Sequence, residues 1–343
     1  MSGREDLAPV AVALEGRARG LLTVLAAVAL GGCGAAASPS SPRNSVETRQ
    51  RQSKTVDPPP LQVMSAGRLP GPVQDPAAAT VGGKTLLMGG LDSADTSVSD
   101  IVSAGPAGVR PVGRLPFAVH DAGAATIAGR AYLLGGGEPS HDEITAVDRS
   151  GRTSVVGHLP EKASDVGTGA LGGTIYVVGG YTGTRSLDTI VAWRGSGRAR
   201  AVAHLAHPVR YAAVAADAGR LVIAGGTSGE RATADVYSFD PASKVAAVLA
   251  TLPRPLTHAG AATLGGYVYV IGGRGAEQGT QRSQIYAIDP RSGRVLRAGR
   301  LPEALSDAGV SATGDSILVA GGREAGGDVS DRIYLLRPGS HSR

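Results

Sequence analysis

His120 to Glu138 reads HDAGAATIAGRAYLLGGGE. A run of small residues leads to a Gly at 129. An apolar run then ends in a Gly cluster. Near copies occur along the whole chain: LLMGG ends at Gly90, YLLGG at Gly136, YVVGG at Gly180, VIAGG at Gly226, YVIGG at Gly273 and LVAGG at Gly322. The first Gly of each pair stands at 89, 135, 179, 225, 272 and 321. A Leu, usually followed by Pro, precedes every pair by 20 residues, at Leu69, Leu115, Leu159, Leu205, Leu252 and Leu301. The distance from each pair to the next Leu varies between 24 and 29 residues. A segment that tolerates no change of length is packed on both sides, and the variable one holds the free loops.

Each repeat supplies four strands. Strand A is the small-residue run, as in AGAATIAG (Ala122 to Gly129), and strand B is the apolar run before the Gly pair. Strand C alternates, as in DVYSFD (Asp235 to Asp240) or QIYAID (Gln284 to Asp289). A turn such as DPRSG leads into strand D, as in RVLRAG (Arg294 to Gly299). Self-similarity at this period, with four antiparallel strands per unit, is the pattern of a propeller blade. Small residues suit strand A to the innermost place, where six blades crowd an axis. The last repeat lacks a strand D after IYLLRPG (Ile333 to Gly339). Residues 61 to 70, LQVMSAGRLP, match RVLRAGRLP at 294 to 302. Leu61 to Ala66 is therefore expected to pair beside Ile333 to Arg337, which closes the ring and removes an exposed edge.

The repeats resemble kelch repeats over about Leu61 to Pro338. The residues that carry the likeness are the Gly pair, the Tyr three before it (Tyr132, Tyr176, Tyr269) and the Asp-Pro turn after strand C (Asp240-Pro241, Asp289-Pro290). The family usually has a Trp early in strand D, where Val245, Val295 and Thr153 stand here. The one Trp, Trp193, aligns with Phe239 and Ile288 in strand C and reads as core. The resemblance implies an all-β fold, a six-bladed propeller of four-stranded antiparallel blades.

Composition agrees with many short strands: 51 of 343 residues are Gly and aromatics are 3%. The net charge of +5 is modest and no block of Lys or Arg occurs, so no nucleic-acid surface is expected. The single Cys excludes an intramolecular disulfide and a Cys-rich metal site. Arg17 and Arg19 precede LLTVLAAVAL (residues 21 to 30), too short to span a bilayer but right for a signal-peptide core. Leu30-Gly31-Gly32-Cys33 then resembles the lipobox of bacterial lipoproteins. That resemblance implies cleavage before Cys33, lipidation of its thiol, and anchorage on the extracytoplasmic side of a membrane in the cell envelope. Residues 1–32 then form the signal peptide and 61–338 the propeller. The Ser- and Pro-rich segment 33–60 has almost nothing to bury and reads as a disordered tether, with a reach of roughly 30 Å. Residues 339–343 read as a tail. A monomer is expected.

His120 and Asp121 fall in the loop from strand D to strand A. The matching residues at the start of each strand A are Asp75, Asp121, Asp165, Tyr211, His258 and Asp307. The residues before them are Gln74, His120, Ser164, Arg210, Thr257 and Ser306, and Glu138, Tyr181, Arg274 and Arg323 follow the Gly pairs farther out. Asp75, His120, Asp121, Asp165, Arg210, Tyr211, His258 and Asp307 are the ligand-binding candidates. They can form a pocket on the axis for a cationic or polyhydroxyl ligand. Four Asp can also hold a hard cation such as Ca²⁺. A third reading is turn chemistry alone, since Asp and Ser commonly open strands after turns. The role expected of the chain is to bind a protein or a glycan through the face made by the D–A and B–C loops. The alternative is a sugar-modifying, epimerase-like enzyme working at the axial mouth. Copper chemistry of the galactose oxidase kind needs a Cys inside the propeller, and Cys33 lies outside it. No catalytic pair, metal or cofactor is assigned.

Overall fold

Apolar runs that alternate with glycine turns can bury both faces only as stacked sheets, and they do. The computed structural model describes residues 57–339; the proposed signal peptide, Cys33, most of the tether and nearly all of the tail lie outside them. Among the described residues there is no helix. Six four-stranded antiparallel sheets follow one another, each ordered A-B-C-D. Blade 1 comprises Ala77–Val81, Lys84–Met88, Asp100–Gly105 and Gly108–Arg114. Blade 2 comprises Gly123–Ile127, Arg130–Leu134, Glu143–Val147 and Thr153–His158. Blade 3 runs through Gly167–Leu171, Thr174–Val178, Thr189–Trp193 and Arg200–His204. Blade 4 runs through Ala213–Asp217, Arg220–Ala224, Asp235–Asp240 and Val245–Thr251. Gly260–Leu264, Tyr267–Ile271, Gln284–Ile288 and Val295–Arg300 make blade 5. Blade 6 takes strands A to C from Gly309–Thr313, Ser316–Ala320 and Arg332–Pro338. Its strand D is Leu61–Arg68 from the other end of the chain, paired antiparallel with Arg332–Pro338 so that Leu61 faces Pro338. The ring is a six-bladed β-propeller closed as the sequence indicates.

The Gly pair has a mechanical cause. Gly89 and Gly135 have φ of +65° and +63°, in the left-handed region. A Cβ on either would overlap the carbonyl oxygen of Val119 or Ala163, which belong to the loop leading to the next blade. The second Gly of each pair then donates its N–H to that same carbonyl. Gly90, Gly136, Gly180, Gly226, Gly273 and Gly322 bond to Val119, Ala163, Val209, Leu256, Leu305 and Val73, each at 2.8 Å. Each pair thus ties its blade to the loop that opens the next one. This tie accounts for the fixed spacing from Leu to Gly pair. The six marker Leu are also buried, at 3–6% exposure.

Each C–D pairing carries a register shift, from Ile101/Val102 in blade 1 to Ser65/Gly67 in blade 6. Such bulges raise the local twist that a blade needs. The core is six clusters, each between successive blades. Blades 2 and 3 share Tyr132, Leu134, Ile175 and Trp193. Trp193 is 1% exposed, packs edge-on to Tyr132, and donates its indole N–H to the Gly197 carbonyl. It is a core residue.

Strands A line the axis. Their small side chains leave a channel of about 240 Å³ lined by Ala with Thr80, Thr126, Thr168, Thr263 and Ser311. Several of these hydroxyls bond inside the ring. Thr126 donates to the Thr80 carbonyl, Thr168 to that of Ala124 and Thr263 to that of Ala216. The D–A loops gather at one end of this channel.

Candidate functional site

The six residues that open strands A share one backbone conformation. Asp75, Asp121, Asp165, Tyr211, His258 and Asp307 all have φ between +53° and +60°. Few non-Gly residues take this conformation, and Asp takes it more easily than most. The reason is a belt of backbone hydrogen bonds around the axis. Asp165 N–H donates to the Asp121 carbonyl, Tyr211 to Asp165, His258 to Tyr211, Asp307 to His258 and Asp75 to Asp307, at 2.7–3.3 Å. The left-handed turn aims these five N–H groups at the neighbouring blade. Turn chemistry therefore explains the backbone. It does not explain four carboxyls, because Asn would serve the same turn.

The six side chains line a polar cavity of about 130 Å³ at the mouth. Burial is the main force on their protons. It pushes the Asp121 carboxyl up to about 8, helped by the charges of Asp165 and Asp307. Asp75 is raised well above the usual carboxylate range by burial and by Asp307 and Asp121 beside it. Burial raises Asp165 as well, and the Arg210 guanidinium beside it opposes the rise. Asp307 is raised by burial, against the hydrogen bond it accepts from Ser306. At neutral pH Asp121 thus keeps its proton and can both donate and accept, and Asp75 is pushed in the same direction.

Two networks flank the cavity. In the first, Arg210 binds the Asp165 carboxylate, stacks over the Tyr181 ring at 4.1 Å, and lies 3.4 Å from the Tyr211 hydroxyl. Tyr211 donates to Asp121 at 3.3 Å. In the second, the His258 ring stacks on Tyr211 with centroids 3.7 Å apart. Arg274 donates to His258 Nε2 at 3.1 Å. An Arg can only donate, so Nε2 accepts, the ring is neutral, and its proton sits on Nδ1. Nδ1 faces the Thr257 hydroxyl at 3.0 Å, and Thr257 in turn meets Thr227 at 2.8 Å. Burial, with Arg274 and Arg210 nearby, holds the imidazole well below its ordinary value.

His120 lies outside the cavity. Its Nδ1 meets Ser97 at 2.8 Å and its Nε2 stands 3.8 Å from Asp121. Burial lowers its affinity for a proton, against the pull of Asp165 and Glu138. Arg210 also stands behind the ring rather than in its wall. Asp121 and His258 are joined through Tyr211, not directly.

Arg274 sits farther in than its place in an outer loop indicates: it is 8% exposed and braces His258. Its role was hidden because the B–C loops vary in length, so spacing gives no side-chain direction there. Arg323 stays on the rim with Gln74 and Asp95. Among the described residues, no group of three His, Cys, Asp or Glu side chains has the arrangement of a metal site. Asp307 is buried, with 6% of its side chain exposed; its Oδ1 meets no N–H or hydroxyl donor, and the Asp75 carboxyl lies beside it.

Three stretches of the chain match the Kelch motif model, residues 162–193, 208–245 and 255–298. They fall on blades 3, 4 and 5. No curated protein is similar enough in sequence to match. Among solved structures, the structure of YjhT is similar, with a TM-score of 0.69 and 15% identity; the match covers 80% of this chain and 97% of that one. This likeness concerns the fold. The chain is a six-bladed propeller that carries Kelch motifs in blades 3 to 5.

Proposed function

We propose that this protein is a ligand-binding propeller whose axial mouth takes one edge of a small polyhydroxyl, sugar-type molecule. We further propose that a lipid on Cys33 holds it at the extracytoplasmic face of a membrane, on the tether of residues 33–60. The observation that carries the binding site is the mixed hydrogen-bonding capacity of the ring. Asp121 is a buried acid raised to about 8 that keeps its proton at neutral pH, Asp75 is pushed in the same direction by burial beside Asp307, and Asp307 Oδ1 meets no N–H or hydroxyl donor. Sugar hydroxyls donate and accept at once, so they satisfy such a ring without bringing a charge. A cavity of about 130 Å³ has room for one edge of a monosaccharide and not for a whole oligosaccharide. The distribution of apolar surface agrees. Among the described residues the exposed large hydrophobic residues are Met64, Val155, Val245 and Val248, all on strands D, so none of them rings the axial mouth.

A specific observation also favours the enzymatic alternative. Asp121 holds a proton that titrates near 8, beside Asp165, whose charged form Arg210 supports. Carboxyls pushed toward different protonation states can serve as acid and base.

The test is a thermal-shift screen of residues 57–339 against neutral monosaccharides, with CaCl₂ in a separate arm. A sugar-dependent rise in Tm is expected, lost in Asp121→Asn/Asp307→Asn. Asn keeps the left-handed turn, so loss of the shift reports the carboxyls. A response to Ca²⁺ alone, or a sugar shift that survives the double substitution, contradicts the proposal.

A further inference from the structure

The six blades share one sequence pattern, so the same place can be compared six times. The interface between blades 6 and 1, where the chain ends meet, is the least filled. Its core holds Leu69, Leu87, Ala104, Leu318, Ala320 and Ile333, with no aromatic ring. Each of the other five clusters contains or touches one: Tyr132 and Trp193, Tyr269 and Tyr334, Phe117, Tyr286, or Tyr176 and Phe239. At the loop-face end of this interface lies a cavity of about 490 Å³, lined mainly by apolar atoms of Leu69, Pro72, Val73, Leu87, Val98 and Val102. That volume is in the range of small-molecule pockets.

The corresponding place in blade 4 is almost closed, at about 30 Å³, and is lined by Leu205, His207, Val209, Ile223 and Tyr237. Two positions make the difference. The third residue of strand C is Tyr237 in blade 4 and Val102 in blade 1; the second residue after the marker Leu is His207 in one and Gly71 in the other. The remaining blades each keep a filler. Tyr286 and Tyr334 occupy the strand C position in blades 5 and 6, each 4% exposed. Tyr334 reaches Glu303, which stands where blade 1 has Gly71. In blade 2 Phe117 takes the loop position and stacks on His141. In blade 3 the loop position holds Glu161, paired with Arg185. Blade 1 has neither filler. The chain thus shows what its own fold accepts here: a tyrosine ring with its hydroxyl toward the rim.

We propose that this blade 1 pocket receives a tyrosine or phenylalanine side chain of a protein partner, flanked in that partner by Lys or Arg. The basic flank follows from the rim. Asp92 and Asp100 stand at the opening. Asp92 accepts two backbone N–H groups and pairs with no cation among the described residues. Asp100 meets only the exposed Arg114, at 3.3 Å. Pro70, Pro72 and Pro111 also line the opening and stiffen it, which reduces the ordering cost of binding. Buried aromatic anchors in desolvated pockets carry much of the energy of protein interfaces. This site is separate from the axial mouth and does not depend on a sugar binding there.

The test uses the full-length protein with methyl-labelled Val and Leu. The probe is acetyl-Lys-Tyr-Lys-amide, and the controls are acetyl-Lys-Ser-Lys-amide and hexanol. The Tyr peptide is expected to shift the methyls of Val73, Leu87, Val98 and Val102. Val102→Tyr refills the pocket as in blade 4 and should weaken binding roughly tenfold or more. Gly71→His is the second blocking variant. Gly71 is exposed, and a Cβ there meets nothing within 4 Å, so the fold accepts the change. Loss of the shifts in either variant, with Tm retained, supports the proposal. No shift with the Tyr peptide, equal shifts with the Ser peptide or hexanol, or shifts that persist in both variants would overturn it.

Discussion

Asp121→Asn isolates the energetic consequence of burying the carboxyl ring. The substitution keeps a side chain that tolerates the left-handed φ of +53°, and its amide oxygen can still accept from Tyr211. What it removes is an acid whose folded pKa is raised to about 8 from an ordinary 3.8. The folded state therefore keeps a proton that the unfolded chain has released. In the wild type, stability linked to this group is full below 3.8 and declines as pH rises towards 8. Between pH 5.5 and 7.5 folding takes up about one proton here, so the decline is about 1.4 kcal/mol per pH unit, or about 3 kcal/mol over the window. For a domain of this size that is roughly 5 °C in Tm. The variant has no such proton. Thermal unfolding of both proteins at a series of pH values should show Tm of Asp121→Asn minus wild type rising by about 5 °C across the window. A difference that stays constant with pH would refute the reasoning, because it would mean that Asp121 titrates alike in both states.

Other outcomes follow from the same geometry. Deleting residues 61–68 removes strand D of blade 6 and exposes the edge Arg332–Pro338, so cooperative melting followed by circular dichroism should be lost. Gly135→Ala places a Cβ against the Ala163 carbonyl at a φ of +63°, and chemical denaturation should show a loss of about 3 kcal/mol. Trp193→Ala empties the core between blades 2 and 3 and should cost about 4 kcal/mol by the same assay. Separately from the geometry, the proposed lipid on Cys33 implies that Cys33→Ser moves the full-length protein from the membrane fraction to the soluble fraction, as read by fractionation and immunoblot.

The architecture was legible because a propeller repeats by translation along the chain. One Leu and one Gly pair recur at a fixed distance, and LQVMSAGRLP declares itself a displaced strand D. The strand starts were legible as positions for the same reason. Their chemistry was only partly so. Composition offers four Asp, but nothing in the spacing says that burial raises Asp75 and Asp121 while Arg210 supports the charge on Asp165. Those properties come from burial and from neighbours one or two blades away. Arg274 reads as an outer-loop residue because a variable loop hides where its side chain points. The Gly pair was recognised without its cause, which is the carbonyl of the following loop. The blade 1 pocket left a faint signal: Val102 and Gly71 stand where other repeats carry Tyr, Phe, His or a paired Glu.

The central claim is that six strand starts form a ligand site and are more than turn chemistry. A crystal structure of residues 57–339 soaked in the monosaccharide that most raises Tm tests it most directly. Sugar density is expected on the axis, with hydroxyls bonded to Asp75, Asp121 and Asp307 Oδ1. Density confined to the blade edges or the outer loops, with the axial ring unchanged, would contradict it.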